Sequence, residues 1–251
     1  MGRINAYFVC GGKYHDFDFP RLEVLRLLNE HEPIRARVGE DFSDIEAIGD
    51  ADFLISYTCD VRPTEAQEKA LADFVGEHGK RWFALHATNS FIEFTGTHFK
   101  APRIHRKYVE VLGSQFISHP PIARYPIDKA EGAEDHPLVR GLPDRFVVED
   151  ELYVSEYHGD IQPLLVTEWG GKGQEGFEEV DFDEVKKHPV LYLHQYGSGE
   201  VLYFTPGHAR GRYDMQPLLE EYPHAERGAW MEQSYYEVLR RGIRWAAGMS
   251  V

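Results

Sequence analysis

The sequence predicts one α/β domain on a mainly parallel sheet, with antiparallel strands added in the second half. Two observations carry that expectation. Residues 4–85 alternate short apolar runs with amphipathic helical segments, the pattern of βαβ units with right-handed crossovers. From residue 108 onward, apolar runs follow one another through short connections, as antiparallel strands do. No internal repeat or low-complexity linker divides the chain, so residues 1–251 are read as a single domain.

Ile4 to Cys10 reads as a short buried strand, closed by Gly11-Gly12. Pro20 to Glu30 reads as a helix, with Pro20 in its first turn and Leu22, Leu25 and Leu28 on one face. Ile34 to Val38 and Asp52 to Tyr57 supply the next two strands. Thr64 to His78 is a helix that follows Pro63, turns Ala66, Leu71, Phe74 and Val75 inward and stops at Gly79. Arg81 to Leu85 is the fourth strand. Further strands are expected at Tyr108 to Phe116, Ile122 to Ile127, Phe146 to Val148, Pro163 to Glu168, Pro189 to Gln195 and Glu200 to Phe204. Gly170 to Lys187, rich in glycine and acidic residues, reads as an exposed loop. The last element, Gln233 to Ala247, is a helix that packs Tyr236, Val238, Leu239, Ile243 and Trp245 on the sheet.

Charge and composition narrow the function. With 27 Lys+Arg against 42 Asp+Glu, the net charge is −15 with neutral histidines. A field of that sign repels nucleic-acid phosphates and anionic lipid, so no nucleic acid and no membrane partner is expected. Neutral small molecules such as sugars are compatible with it. The two cysteines, Cys10 and Cys59, each end an apolar run and offer neither a disulfide framework nor a zinc-type pair. No apolar run approaches the roughly 20 residues needed to span a bilayer. Met1-Gly2-Arg3-Ile4-Asn5-Ala6 enters a strand-like run at once, without a signal-peptide hydrophobic region, so a cytoplasmic location is expected. Exposed strands in the second half leave room for pairing between subunits, and a homo-oligomer is kept open.

In open parallel sheets, ligands bind beyond the carboxyl ends of the strands, near the point where strand order reverses. Four strand ends therefore matter: Gly11-Gly12-Lys13-Tyr14-His15-Asp16, Tyr57-Thr58-Cys59-Asp60, His86-Ala87-Thr88-Asn89-Ser90 and Thr205-Pro206-Gly207-His208. Three of the four bear a histidine. Each residue also has a plainer reading. Gly11-Gly12 lacks the spacing of a dinucleotide or phosphate loop and serves equally as a tight turn, so no nucleotide is expected. His15 beside Asp16 is also what a surface pair looks like, and His119-Pro120-Pro121 also reads as a rigid turn. His86, directly after a buried strand, is the hardest to explain as packing.

Asp150-Glu151-Leu152-Tyr153 adds carboxylates beside an aromatic ring. Imidazole and carboxylate together can pass a proton, or can ligate zinc or manganese with a position left open. The spacing does not choose between the two, because the candidates lie far apart in the chain. No Gly-x-Ser-x-Gly elbow is present, and the turn after Phe83-Ala84-Leu85 holds His86 instead of a cysteine nucleophile.

Taken in order, several segments resemble the motifs of the trehalose-utilisation (ThuA-like) family. They are Phe83-Ala84-Leu85-His86-Ala87-Thr88, Ser118-His119-Pro120, the run from Asp135-His136-Pro137 to Gly141-Leu142-Pro143, and Asp150-Glu151-Leu152-Tyr153. The stretch Gly199 to His208 and the closing Arg241 to Gly248 are similar too. The resemblance runs from the first strand to the final helix. It implies a class I glutamine amidotransferase-like fold, that is, a flavodoxin-like three-layer α/β/α arrangement. It also implies a role in carbohydrate metabolism around trehalose and related disaccharides, often beside sugar oxidoreductases that make 3-keto-glycosides. Glutamine hydrolysis is not expected, because His86 stands where those amidotransferases place cysteine. His208 falls where they keep a histidine, although Ala209-Arg210 replaces the Pro-Glu that follows it there.

The expected function is proton transfer on a sugar or keto-sugar, as a hydrolase/lyase or isomerase. His86 and His208 are the leading acid/base or ligand groups, supported by His15, Asp16 and Glu151. Tyr57, Asn89, His119 and Tyr153 are expected to contact substrate hydroxyls. The alternative is a sugar-binding or regulatory module without catalysis.

Overall fold

The computed structural model describes residues 2–251. The first half runs β1 (Ile4–Gly12), α1 (Asp18–Asn29), β2 (Ile34–Gly39), α2 (Ile45–Gly49), β3 (Phe53–Cys59), α3 (Glu65–Gly76) and β4 (Arg81–Leu85). A short 3-10 turn, His86–Asn89, and the two-residue strands β5 (Glu93–Phe94) and β6 (Phe99–Lys100) lead to α4 (Arg106–Leu112). The second half adds β7 (Ser114–Ser118), β8 (Ala123–Lys129), β9 (Arg145–Asp150), β10 (Val154–Tyr157), β11 (Ile161–Lys172), β12 (Asp181–Tyr196), β13 (Gly199–Phe204) and α5 (Gln233–Ala246).

One nine-stranded sheet has the order β2-β1-β3-β4-β13-β12-β11-β8-β9. Its first five strands are parallel, and the remaining four are antiparallel. The parallel part has the flavodoxin-like order, with the order of strands along the sheet reversing at β1 and β3. Its strands read as unbroken apolar runs because both faces are covered. Ala6, Phe8 and Cys10 pack toward α1 and α5, while Tyr7 and Val9 pack toward α2, α3 and α4. The result is three layers.

Helix ends follow local chemistry. Thr64 and Gln67 form a reciprocal capping box at the start of α3. No side chain of its own caps α4; Glu68 of α3 accepts the Tyr108 N–H at 3.2 Å instead. In α5, Gly242 lies against Phe83, and an added Cβ would come within 2.3 Å of that ring. Gly242→Ala is therefore expected to lower stability by about 1–3 kcal/mol in a denaturant titration while leaving ligand binding at the sheet edge intact.

Three expectations change. Residues 108–112 are helical and only 114–118 form a strand, because Tyr108, Val109, Val111 and Leu112 have helical spacing and Gly113 (φ +76°) ends the turn. Gly170 to Lys187 is not simply a loop: β11 and β12 extend into it as a long hairpin, with register shifts that absorb the glycines. Helix α1 buries Pro20, Val24, Leu27 and Leu28, whereas Leu22 is half exposed. The inward stripe is thus rotated from the leucine triplet. Cys10 and Cys59 are buried free thiols. No helix of the described residues is long and apolar enough to cross a membrane.

Candidate metal centre

After Leu85 the chain turns sharply at His86, whose φ of +47° lies in the left-handed region that side chains disfavour. Tyr14 (φ +69°) and Asp60 (φ +53°) do the same after β1 and β3. Such backbone costs about 1–3 kcal/mol per residue and gathers where geometry serves a site. Buried Asp60 fixes its neighbours by accepting from Lys13 at 2.6 Å, Arg62 at 2.9 Å and the Ile92 N–H at 3.1 Å.

The proton positions of the three imidazoles follow from their outer partners. His86 Nδ1 donates to the Thr205 carbonyl at 2.9 Å, so its Nε2 is left with a bare lone pair. His15 Nδ1 donates to the Lys13 carbonyl at 3.2 Å, and its Nε2 faces the Nε2 of His86 at 3.0 Å. His208 Nε2 donates to the Glu226 carboxylate at 2.8 Å. Its Nδ1 is buried without a hydrogen-bond partner, 3.1 Å from Glu151 Oε1. Glu151 Oε2 lies 3.6 Å from His86 Nε2. One donor atom from each of His15, His86, Glu151 and His208 falls within 4.8 Å of the others, and all four residues are buried.

Burial, together with the neighbouring His86 and His208 imidazoles, holds His15 well below the usual imidazole range. Burial takes His86 down to about 3 despite the nearby Glu151. Both are neutral at pH 7, as ligands must be. Burial would also lower His208, but Glu151 and Glu226 on either side lift it to about 9. Desolvation pushes Glu151 upward, yet His208, His119 and Arg210 outweigh it and hold the carboxyl well below its ordinary value. The cluster is arranged around positive charge.

Asp150 positions two of the four groups. Its buried carboxylate accepts the N–H of Glu151 (2.7 Å), Gly207 (3.0 Å), His208 (3.2 Å) and Ala229 (2.6 Å). Burial raises its carboxyl to about 6, against the pull of His208 and these N–H donors. Through these bonds the antiparallel half of the sheet curls back, and the end of β9 meets the loop after β13.

The other expected residues divide. Tyr153 donates its hydroxyl to His86 Nε2 at 3.2 Å and faces the adjoining cavity. His119 faces it too, with Nδ1 donating to the Pro120 carbonyl at 2.7 Å and Nε2 3.8 Å from Glu151. Tyr57 stacks behind His86 at 5.8 Å and donates to the Gly207 carbonyl, away from the cavity lining. Asn89 is buried against Ser114 and does not line the cavity. Asp16 accepts the Phe19 N–H and pairs with Arg227, outside the donor cluster. Arg210 and Glu226 carry no functional mark in the sequence, and Asp150 reads there only as a neighbour of Glu151. No motif marks Glu226, which lies 18 residues beyond its partner His208. Glu226→Gln keeps an acceptor but removes its charge; metal affinity is expected to fall about 10–100-fold in a chelator competition.

The cavity beside the cluster has a volume of about 420 Å³. A flavodoxin-like sheet with a histidine–carboxylate centre at its switch edge defines the class of protein. The profile of the ThuA family, described as trehalose utilisation, matches residues 21–222, and the chain belongs to that family. A ThuA-like protein from Parabacteroides merdae is similar in structure at 17% identity, covering 99% of this chain and 92% of that one, with a TM-score of 0.63. Another from Bacteroides uniformis has 16% identity, coverage of 98% and 91%, and a TM-score of 0.66. A cold-adapted β-galactosidase from a Rahnella species shares the fold at 12% identity and TM-score 0.56; the match covers 97% of this chain and 32% of that one. No curated protein matches the chain in sequence.

Proposed function

We propose that the protein is a metal-dependent enzyme of carbohydrate metabolism that moves a proton on a keto-sugar. One observation carries this reading: three imidazoles, each tied on its outer side, aim their second nitrogens at one point shared with Glu151. Two lone pairs facing at 3.0 Å, and a buried His208 Nδ1 aimed at Glu151, fit a cation that takes the place of the His208 proton. His15, His86, His208 and Glu151 would hold zinc or manganese, which supplies polarisation of a substrate carbonyl.

The chain's own residues do the rest. His119 takes the substrate proton at Nε2, the atom its Nδ1–Pro120 bond leaves bare. Tyr153, whose phenol burial and Glu151 push far above its ordinary value, stays protonated, and once a cation occupies the His86 Nε2 lone pair its hydroxyl turns to donate to a substrate oxygen. Arg210, 3.6 Å from Glu151 and 3.1 Å from Glu226, keeps both carboxylates ionised.

Metal analysis of the purified chain is the test. About one equivalent of zinc or manganese, with turnover of a 3-keto-glycoside that chelation abolishes, supports the reading. Sugar binding by a metal-free chain without product would replace it with a binding module. A pH dependence follows from His208. Below about 9 this imidazole holds a proton that metal must displace, so affinity should rise about tenfold per pH unit from 7 to 9. Affinity that is flat across that range contradicts the assignment of His208 as a ligand.

A further inference from the structure

Away from the donor cluster the cavity changes character. Phe177, on the hairpin between β11 and β12, sits 5.7 Å from Phe99 and 6.0 Å from Phe116 between ring centroids. The hairpin is tied in place by the Phe99 N–H donating to Gly176 and the Glu178 N–H donating to Phe99. Met215 and Leu219 line the same cavity from the segment between Arg210 and Glu226. The base of that segment is closed by paired backbone bonds between Arg210 and Glu226, at 3.1 and 2.8 Å. His119, 5.2 Å from Phe177, Arg210 and Glu226 stand against the donor cluster, and beyond them the polar groups of the lining are Gln174, Glu175 and the hydroxyls of Tyr14 and Tyr222. At the rim, Phe94 stands half exposed 5.2 Å from Phe99, and Leu219 is likewise half exposed.

A second sugar ring placed here would bring several hydroxyls. Each must exchange water for a protein partner or go unpaired, and this wall offers few partners. A flat apolar ring instead gains from every face it covers, with Phe99, Phe116 and Phe177 lining the cavity around it. We propose that the outer cavity is a subsite for an apolar, ring-sized substituent on the sugar, so that the substrate is an aryl glycoside in keto form rather than a disaccharide. This rests on the reading of the donor cluster as the end that engages the sugar.

Calorimetric titration of the protein as purified, with phenyl 3-keto-glucoside and with 3-keto-trehalose, tests it, while product formation is followed separately. The phenyl compound is expected to bind about tenfold tighter or better. Phe177→Ala and Leu219→Asn, both at partly exposed positions, should erase most of that preference while leaving metal content unchanged. Equal affinities, a preference for the disaccharide, variants that weaken both ligands alike, or no binding of either would each overturn the subsite. A phenyl preference with neither compound converted keeps the subsite and removes the catalytic reading; conversion without preference does the reverse.

Discussion

His86→Asn is expected to strip the metal and lower turnover about a thousand-fold while leaving the fold in place. Asparagine is the informative replacement because His86 has a left-handed backbone (φ +47°), which asparagine tolerates far better than alanine. The variant keeps the turn but removes the Nε2 that faces His15 and lies 3.6 Å from Glu151. It also leaves the Thr205 carbonyl without its imidazole donor. Loss of Lewis-acid polarisation accounts for several kcal/mol of barrier, hence the three orders of magnitude. Elemental analysis and initial rates on the same preparation check it. Full occupancy with unchanged turnover would remove His86 from the chemistry altogether.

Asp150→Ala is expected to have the largest effect on stability, about 3–5 kcal/mol. Four backbone N–H groups converge on this one buried carboxylate, and deleting it strands all of them, at about 1–3 kcal/mol each before relaxation. For a chain of this size that loss lowers the melting temperature by about 10 °C. Metal affinity should fall with it, because Glu151 and His208 both lose their backbone anchor. Asp150→Asn, which retains one acceptor oxygen, should fall between. A melting temperature within about 2 °C of the parent would mean that the loop after β13 is held by other contacts.

Much of the parallel core was legible because burial on both faces writes strands as continuous apolar runs, as in Phe53 to Tyr57 and Arg81 to Leu85. The clustering of His15, His86 and His208 was legible for a related reason: strand ends of a parallel sheet share one edge. Local ambiguity defeated other segments. Tyr108 to Leu112 is apolar and β-branched enough to read as a strand, and only its i, i+3, i+4 spacing and Gly113 speak for a helix. The hairpin beyond Gly170 was hidden because its glycines occupy register shifts rather than a free loop. Orienting groups were the least legible. Glu226 acts on His208 through a single hydrogen bond across a loop, and Asn89, just after β4, and Tyr57, near the end of β3, turn into the core.

The four donors are contributed by residues as far apart as 15 and 208, and no two are neighbours in sequence. A zinc finger gathers its ligands within a short stretch and folds around the ion. Here the proposed ion would have nothing to grip until the ends of β1, β4, β9 and β13 have already converged. Assembly would therefore come first and loading afterward. A chain refolded from denaturant without any metal should regain native structure and then accept the ion in a separate, concentration-dependent step.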